Sequence, residues 1–533
     1  MAAPIDTALE GLSNLQISSP PNTDAELARH MKYLHRPPQA DQASEAASSP
    51  LFTSAARQAL RGESPQPQVL FPQSSLLGCE VSSSKDRDAR VFYNVAAPSS
   101  LFICGSQGSG KSHTLSCVLE GCLMASEVSE VPRPLAGVVF HYDTFISDRG
   151  GAPCEAAYLA SGGAVKVRVL CAPTNYRAMQ ETYKAIPEVS VQKLQLSSSD
   201  LNTQRMLDLM AVGDGNMPLY LHVLQRILRE MRIEQQQQTD WQGASFKYGE
   251  FKRRLLDEKL TGQQMSPLQQ RLDTLESFMV KEHTSSYRRR QSKEIPPGTD
   301  WKPVAGQLTI VDLSCPCVTP EMACSLFNIC LSLFLEQDQA SPQSATPPIG
   351  RIVALDEAHK YLSSSTSVDE GTPSAECRTL TNTLLSTIRL QRHLGVRVVI
   401  STQEPSVSPK LLDLCSATLV HRFSSPAWEQ MLCGHLAGAS LEKEDGGSTG
   451  TKKDKKDLFR NIVNLKVGEA FLFAPSALVG VRVGADGDDR GEGESDGLEG
   501  SGGMAVRRLG DEILKIRVRN RVTADGGKSI LAE

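Results

Sequence analysis

Short apolar runs alternate with longer amphipathic stretches over most of this chain. Residues 101–104 (LFIC), 137–142 (GVVFHY), 165–171 (VKVRVLC), 307–313 (QLTIVDL), 352–355 (IVAL), 396–401 (VRVVIS) and 417–423 (ATLVHRF) each have the length and apolarity of a buried strand. Residues 90–95 (RVFYNV) alternate as a further strand. Helical spacing follows several of these runs: Leu115, Val118 and Leu119 after Lys111, and residues 320–336. Strands separated by helices predict an α/β core with a mainly parallel sheet. Residues 174–300 break that rhythm. Leu221, Leu224, Ile227, Leu228 and Met231, then Leu268, Leu272, Leu275 and Phe278, recur at helical spacing and predict a helical insertion.

The same pattern sets the domain boundaries. Residues 1–75 are rich in Ser, Pro, Ala and Gln without sustained periodicity, which predicts a disordered leader. The core should occupy 76–173 and 301–481, split by the helical insertion. Residues 337–348 and 442–457, the latter with its KKDKK run, read as loops. Residues 484–503 are acidic and glycine-rich and should be disordered. In 504–533, the stretch 513–522 (ILKIRVRNRV) alternates apolar and basic residues, as an edge strand with Lys515, Arg517, Arg519 and Arg521 on one face would. Those four charges either blunt an exposed edge, the favoured reading, or meet a phosphate backbone.

Composition narrows the classes. The 533 residues hold 40 Gly and 30 Pro with only 5% aromatics, which fits one packed core with much loop around it. A net charge of −5 argues against a surface that coats nucleic acid throughout. Local basic clusters at 252–254 (KRR) and 288–290 (RRR) read as solvated helix faces before nucleic-acid contacts. The 13 cysteines are scattered, and no basic-then-apolar leader opens the sequence. Reduced thiols and an intracellular place, nucleus or cytoplasm, are expected. Cys315 and Cys317 have no second pair at zinc spacing. The longest apolar run, 322–335, is too short to span a bilayer, so no membrane partner is expected.

The chemistry centres on 105–113, GSQGSGKSH, set between the strand at 101–104 and the helix beginning at Lys111. This is the Walker A spacing, G-x-x-x-x-G-K-[ST]. Gly105, Gly108 and Gly110 let the backbone curl, so that N–H groups of Ser106, Gln107, Ser109 and the residues through His113 converge on a polyphosphate. The helix N-terminus adds about half a positive charge. Lys111 should reach the β- and γ-phosphates, and Ser112 should ligate Mg²⁺. ATP and Mg²⁺ are the cofactors expected. A strand ending in Asp356-Glu357 supplies the second motif, Walker B: Asp356 for Mg²⁺, Glu357 to polarise the attacking water. Gln403, ending the next strand, is placed to sense the γ-phosphate and the lytic water. Arg389 and Arg392 read first as helix-face charges, and second as phosphate contacts in their own or a neighbouring subunit.

Taken together, GSQGSGKS, an isolated VDL strand, IVALDEAH, an R-x-x-R helix ending at Gly395, STQEPS and the late LKVGEAFLF strand resemble the HerA–FtsK group of P-loop ATPases, in a eukaryotic branch. The resemblance spans about 88–175 and 301–481. It implies a RecA-like core, ATP hydrolysis, and a ring, most often a hexamer, acting on DNA or RNA. Neither the β-barrel of HerA nor the C-terminal winged helix of FtsK is visible. The alternative is a nucleotide-switched protein-interaction ATPase that moves no nucleic acid.

Overall fold

A computed structural model describes residues 46–61, 70–81, 88–147, 150–209, 219–237, 246–258, 260–280, 298–336, 348–362, 373–436, 458–483, 498–499 and 504–526. The chain divides into two units, Met1–Ala47 and Ser48–Glu533. The first lies almost wholly outside the described residues, and the fold given below is that of the second.

The strands are β1 (Leu51–Thr53), β2 (Ser74–Glu80), β3 (Arg90–Asn94), β4 (Ser100–Cys104), β5 (Ser129–Glu130), β6 (Ala136–His141), β7 (Lys166–Cys171), β8 (Val189–Lys193), β9 (Gln307–Asp312), β10 (Arg351–Leu355), β11 (Val396–Thr402), β12 (Ala417–His421), β13 (Glu469–Phe473), β14 (Leu478–Val483), β15 (Leu498–Glu499), β16 (Met504–Arg508) and β17 (Leu514–Val518). Helices used below are α1 (Ser54–Arg61), α2 (Lys111–Leu123), α3 (Thr203–Leu209), α4 (Leu219–Gln236), α5 (Tyr248–Leu256), α6 (Gly262–Phe278), α7 (Pro320–Leu335), α8 (Ala375–Arg389) and α9 (Gln391–Leu394).

Half of the sheet is parallel, in the order β8-β7-β9-β6-β10-β11-β4-β12. Its central strands are buried and mostly apolar because both faces are covered. On β4, Phe102 and Cys104 join one core and Leu101 and Ile103 the other, the alternation a pleated strand imposes. The first face packs on α7 and the helical block; the second packs on α2 through Leu115, Val118 and Leu119. Helix α7 starts where Thr319 accepts a bond from Met322 N and Pro320 presets the first turn. Its Phe327, Leu331 and Phe334 are buried, as a helix facing a sheet requires.

Beyond β12 the sheet continues through antiparallel partners β13, β17, β2, β3 and β1. Strand β1 also pairs in parallel with β14, and β14 carries β16 and then β15. This second half alters three sequence expectations. Ordered chain begins well before residue 76: β1 and α1 precede it, with Leu51 and Phe52 buried, so the leader is not disordered to residue 75. Strand β17 is not an edge; it pairs with β13 on one side and β2 on the other. The helical insertion contains a strand, β8, paired with β7 in parallel. In β8 (VSVQK) only the two valines are apolar, and they are half-buried, so the signal is faint.

The helical block otherwise follows its periodicity. Leu221, Leu224, Ile227 and Leu228 of α4, and Leu268, Leu272, Leu275 and Phe278 of α6, are buried. Its described basic cluster is compensated locally. Lys252 meets Glu276 at 2.6 Å, Arg253 meets Glu250 at 2.6 Å, and Arg254 meets Glu234 at 2.8 Å. Residues 288–290, 337–347, 442–457 and most of 484–503 lie outside the described residues.

Candidate functional site

All strands of the parallel half end at one edge, and the chemistry-bearing residues sit there. Strand β4 ends at Cys104 and the chain turns at Gly105, whose φ is +149°. A Cβ at this position would lie 2.7 Å from His421 Cβ and 2.8 Å from Ser109 Oγ. Only glycine fits. Gly108 and Gly110 also take positive φ, +69° and +109°. Ser106 ties the loop to the end of β12 by donating from N and Oγ to Arg422 O, both at 2.9 Å. Gly110 then begins α2 with no side-chain cap and no acid in the first turn, leaving the helix N-terminus for an anion.

Lys111 is 3% exposed and donates to Ser106 O at 3.0 Å. Burial lowers its pKa, and the neighbouring Glu357 and Asp356 only partly oppose this. A buried ammonium bonded to one carbonyl is short of negative partners, as a lysine awaiting phosphate should be.

Strand β11 lies between β4 and β10, with Ile400 beside Phe102 on one side and beside Leu355 on the other. The residue after β11, Gln403, therefore stands between the phosphate loop and the two acids. Its Nε2 donates to Glu357 Oε1 at 2.5 Å, and Trp428 Nε1 fixes its carbonyl at 2.8 Å. Glu357 sits at φ +48°, a strained conformation for a side-chain-bearing residue, which turns its carboxylate back toward the site. Burial, then the adjacent Asp356, raises its pKa.

Asp356 is 4% exposed. Its Oδ2 accepts from His141 Nδ1 at 3.1 Å, while Oδ1 is buried without a hydrogen-bond partner among the described residues. Burial would raise its pKa, but the bond and charge of His141, with the charges of Lys360 and Lys111, together lower it. An ionised, orphaned oxygen beside the glycine loop fits a hydrated Mg²⁺, and the Ser112 hydroxyl at the start of α2 could serve the same ion.

His359 also belongs to this edge and was not among the sequence candidates. Gln403 N donates to its Nδ1 at 3.4 Å, and Nδ1 is 3.3 Å from Glu357 Oε2. Burial, then Lys360 and Lys111, lowers its pKa to about 4, so the imidazole is neutral and this contact is not an ion pair. Nothing in the pattern DEAH distinguished its His from a solvent-facing one. Lys360 bonds Asp143 at 3.0 Å and closes the edge on the β6 side.

Three candidates are placed elsewhere. The His113 side chain turns to Arg519, its Nε2 bonding Arg519 O at 2.8 Å, which leaves only its backbone at the loop. Arg389 and Arg392 are exposed near α9, which stops at Gly395 (φ +61°). They precede β11, while Gln403 follows it. Seven residues of strand, roughly 23 Å at ~3.3 Å each, separate them from their own phosphate edge.

The basic stretch after residue 513 is consumed inside the fold. Lys515 and Arg517 both meet Glu469 at 3.0 Å. Arg519 is buried, bonding Glu120 of α2 at 2.7 Å, Cys117 O at 2.9 Å and Leu76 O at 2.8 Å. Arg521 reaches Glu155. Lys515 and Arg517 stay partly exposed and pair β17 to Glu469 of β13, while the buried Arg519 fastens the loop helix α2 to the antiparallel half, so the stretch does not protect an edge.

A parallel sheet, a glycine loop entering a helix, and an interposed strand between the loop strand and the acid strand define a P-loop NTPase fold with a RecA-like strand arrangement. No protein-family model and no curated protein sequence matches the chain. Among solved structures it resembles VirB4 of Thermoanaerobacter pseudethanolicus, at 12% identity and a TM-score of 0.40 over 75% of this chain and 93% of that one. It also resembles the Type VII secretion ATPase EccC of Thermomonospora curvata, at 10% identity and 0.27 over 87% of this chain and 30% of that one. The genome packaging NTPase B204 of Sulfolobus turreted icosahedral virus 2, solved with ATP-gammaS, aligns at 12% identity and 0.20 over 32% of this chain and 62% of that one. No described helix is long and apolar enough to cross a membrane.

Proposed function

We propose that this protein binds ATP with Mg²⁺ and hydrolyses it. One observation carries the reading: Lys111, Asp356, Glu357 and Gln403 come from three adjacent strand ends and meet with a buried cation and a buried, unpartnered carboxylate oxygen facing unfinished coordination. On nucleotide binding, Lys111 exchanges Ser106 O for the β- and γ-phosphates. Ser112 and Asp356 would hold a Mg²⁺, which would supply charge neutralisation on the phosphate oxygens. Gln403 orients water at the γ-phosphate, and Glu357, with its raised pKa, takes the water's proton as the oxygen attacks. The Glu357–Gln403 bond must loosen for both to reach that water.

What turnover drives has two readings. The HerA–FtsK likeness supports a ring, hexameric by preference, with Arg389 or Arg392 completing a neighbour's site, since both are exposed and distant from their own loop. Nucleic acid would be its substrate. A nucleotide-switched interaction ATPase is the second reading, favoured by the local neutralisation of the described basic clusters at 252–254 and 515–521. ATP turnover of the full chain with and without DNA or RNA, combined with its mass in Mg·ATP, tests both. A ring with salt-sensitive stimulation supports the motor. A monomer indifferent to nucleic acid supports the switch, and absent turnover refutes the hydrolase.

A further inference from the structure

His141, Cys154 and Asp356 bring three ligand atoms of different chemistry within 4.8 Å of one another. They arrive from separate segments. His141 is the last residue of β6, and Asp356 follows β10; the two strands pair in parallel with Phe140 beside Leu355, so the next residues stand side by side. Cys154 precedes the short 3-10 helix Glu155–Gly162 and is fixed by its own backbone N–H, which donates to Tyr183 Oη at 3.0 Å. Tyr183 in turn donates to Asp312 Oδ2 at 2.6 Å, and Asp312 pairs with His141 across β9 and β6. The three ligand residues are 7%, 0% and 4% exposed.

We propose that His141, Cys154 and Asp356 form a binding site for a thiophilic divalent cation of the zinc class. Donor type selects the ion: thiol sulfur and imidazole nitrogen suit zinc or cobalt and do not suit Mg²⁺, which takes oxygen. Spacing fits as well. Tetrahedral bonds of about 2.0 Å to oxygen and nitrogen and about 2.3 Å to sulfur place nitrogen and oxygen roughly 3.3 Å apart and sulfur and oxygen roughly 3.5 Å apart. The structure has His141 Nδ1 at 3.1 Å and Cys154 Sγ at 3.8 Å from Asp356 Oδ2. Small side-chain shifts accommodate the ion. Tyr183 and Asp312 form the outer shell that holds Cys154 and β6 in position. Asp356 Oδ1, which has no hydrogen-bond partner among the described residues, is left for a second bond or a bound water. Cation binding displaces two protons, the thiol proton of Cys154 and the Nδ1 proton of the imidazolium His141, and both leave to solvent while His141 keeps its Nε2 proton.

A consequence rests on the ATPase reading. A zinc-class ion on Asp356 Oδ2 takes charge from the same carboxylate that would face a hydrated Mg²⁺ through Oδ1, so zinc-class ions should weaken Mg²⁺ binding and slow turnover. Titrating the nucleotide-free full chain with Co²⁺ should produce a thiolate-to-cobalt absorption band at one equivalent, displaced by Zn²⁺. Cys154→Ser should abolish that band with its melting temperature unchanged. X-ray absorption of the zinc-loaded wild type needs no variant: one sulfur and at least one nitrogen in the first shell are expected. With Mg·ATP, Zn²⁺ should slow the wild type at least tenfold, reversibly with chelator, and Cys154→Ser should need at least tenfold more zinc. No cobalt–thiolate band, an undiminished band in Cys154→Ser, or a zinc shell without sulfur overturns the site. These metal-binding arms decide the proposal even for a chain that turns over no ATP, so failure of the site and failure of the ATPase reading are told apart.

Discussion

Replacing Lys111 by methionine should weaken nucleotide binding while making the empty protein more stable. The ammonium is buried, and burial lowers its pKa, so the charged form is disfavoured in the folded state. Removing it abolishes that cost. It also removes a bond to Ser106 O, but this carbonyl still accepts from Ser109 Oγ at 2.7 Å and Ser109 N at 3.3 Å, so no orphan is created. Methionine keeps the length of the chain and the packing against the loop. A gain of about 0.5–2 kcal/mol, the usual yield when a functional strain is relieved, is expected for the free protein. Binding moves the other way. A charge-assisted phosphate contact is worth about 2 kcal/mol, roughly thirtyfold in Kd. At an ATP concentration of 100 Kd the wild type gains about 2.7 kcal/mol; at the same concentration the variant, now near three times its own Kd, gains about 0.9 kcal/mol. Differential scanning fluorimetry with and without Mg·ATP reads both effects. The variant's apo Tm should rise and its nucleotide-induced shift should drop to about one third. An unchanged shift removes Lys111 from the nucleotide site, and a lower apo Tm refutes the desolvation argument.

Glu357→Gln should retain ATP binding and lose turnover by about 10²-fold, measured by phosphate release. Wild-type turnover should fall as pH drops through the Glu357 pKa, and because burial and Asp356 raise it, that acid limb should lie above the ordinary 4.5. Gly105→Ala should prevent the loop from closing, since its Cβ meets His421 and Ser109 below 3 Å; loss of both ATP binding and Tm is expected. Arg519→Met should cost up to about 3–5 kcal/mol in urea unfolding, because the buried Glu120 loses its 2.7 Å cation and keeps only Arg521 at 3.9 Å. The hydrogen bonds from Thr523 and Arg519 hold the Glu120 pKa down despite burial, so its contribution is present at neutral pH and is lost as pH falls below the ordinary glutamate range.

The parallel half and its chemistry were legible because each signal is local. A fully buried strand must be apolar on both faces, and a phosphate loop must spend glycines where φ is positive, so β4, β10, β11 and the loop stand out in one dimension. Gln403 was legible only through its order after the acid strand. The rest was legible in part: β3 and β13 stood out as strands, but β1 is three residues long, β17 alternates like an edge while lying between two partners, and on the parallel side β8 has only two apolar residues. The basic residues at 515–521 look solvent-bound in sequence because their acids, Glu120, Glu155 and Glu469, are distant along the chain. His359 and Cys154 carry no spacing that marks them; only the fold brings them to Asp356 and Glu357.

The fastening of α2 to the end of the sheet has a consequence for synthesis. Glu120 and Arg519 are 399 residues apart, and Ser100 of β4 bonds Leu414 O across 314 residues. At a ribosomal pace of about 5–20 residues per second, the nucleotide-binding helix emerges roughly 20–80 s before the arginine that completes its surroundings. During that interval Leu115, Val118 and Leu119 have no finished sheet to cover them, and the buried carboxylate has no cation. The nascent chain should therefore stay exposed to aggregation for the time spent between β4 and β17. Slowing elongation within the helical insertion should lower the yield of folded protein, whereas slowing it after β17 should leave the yield unchanged.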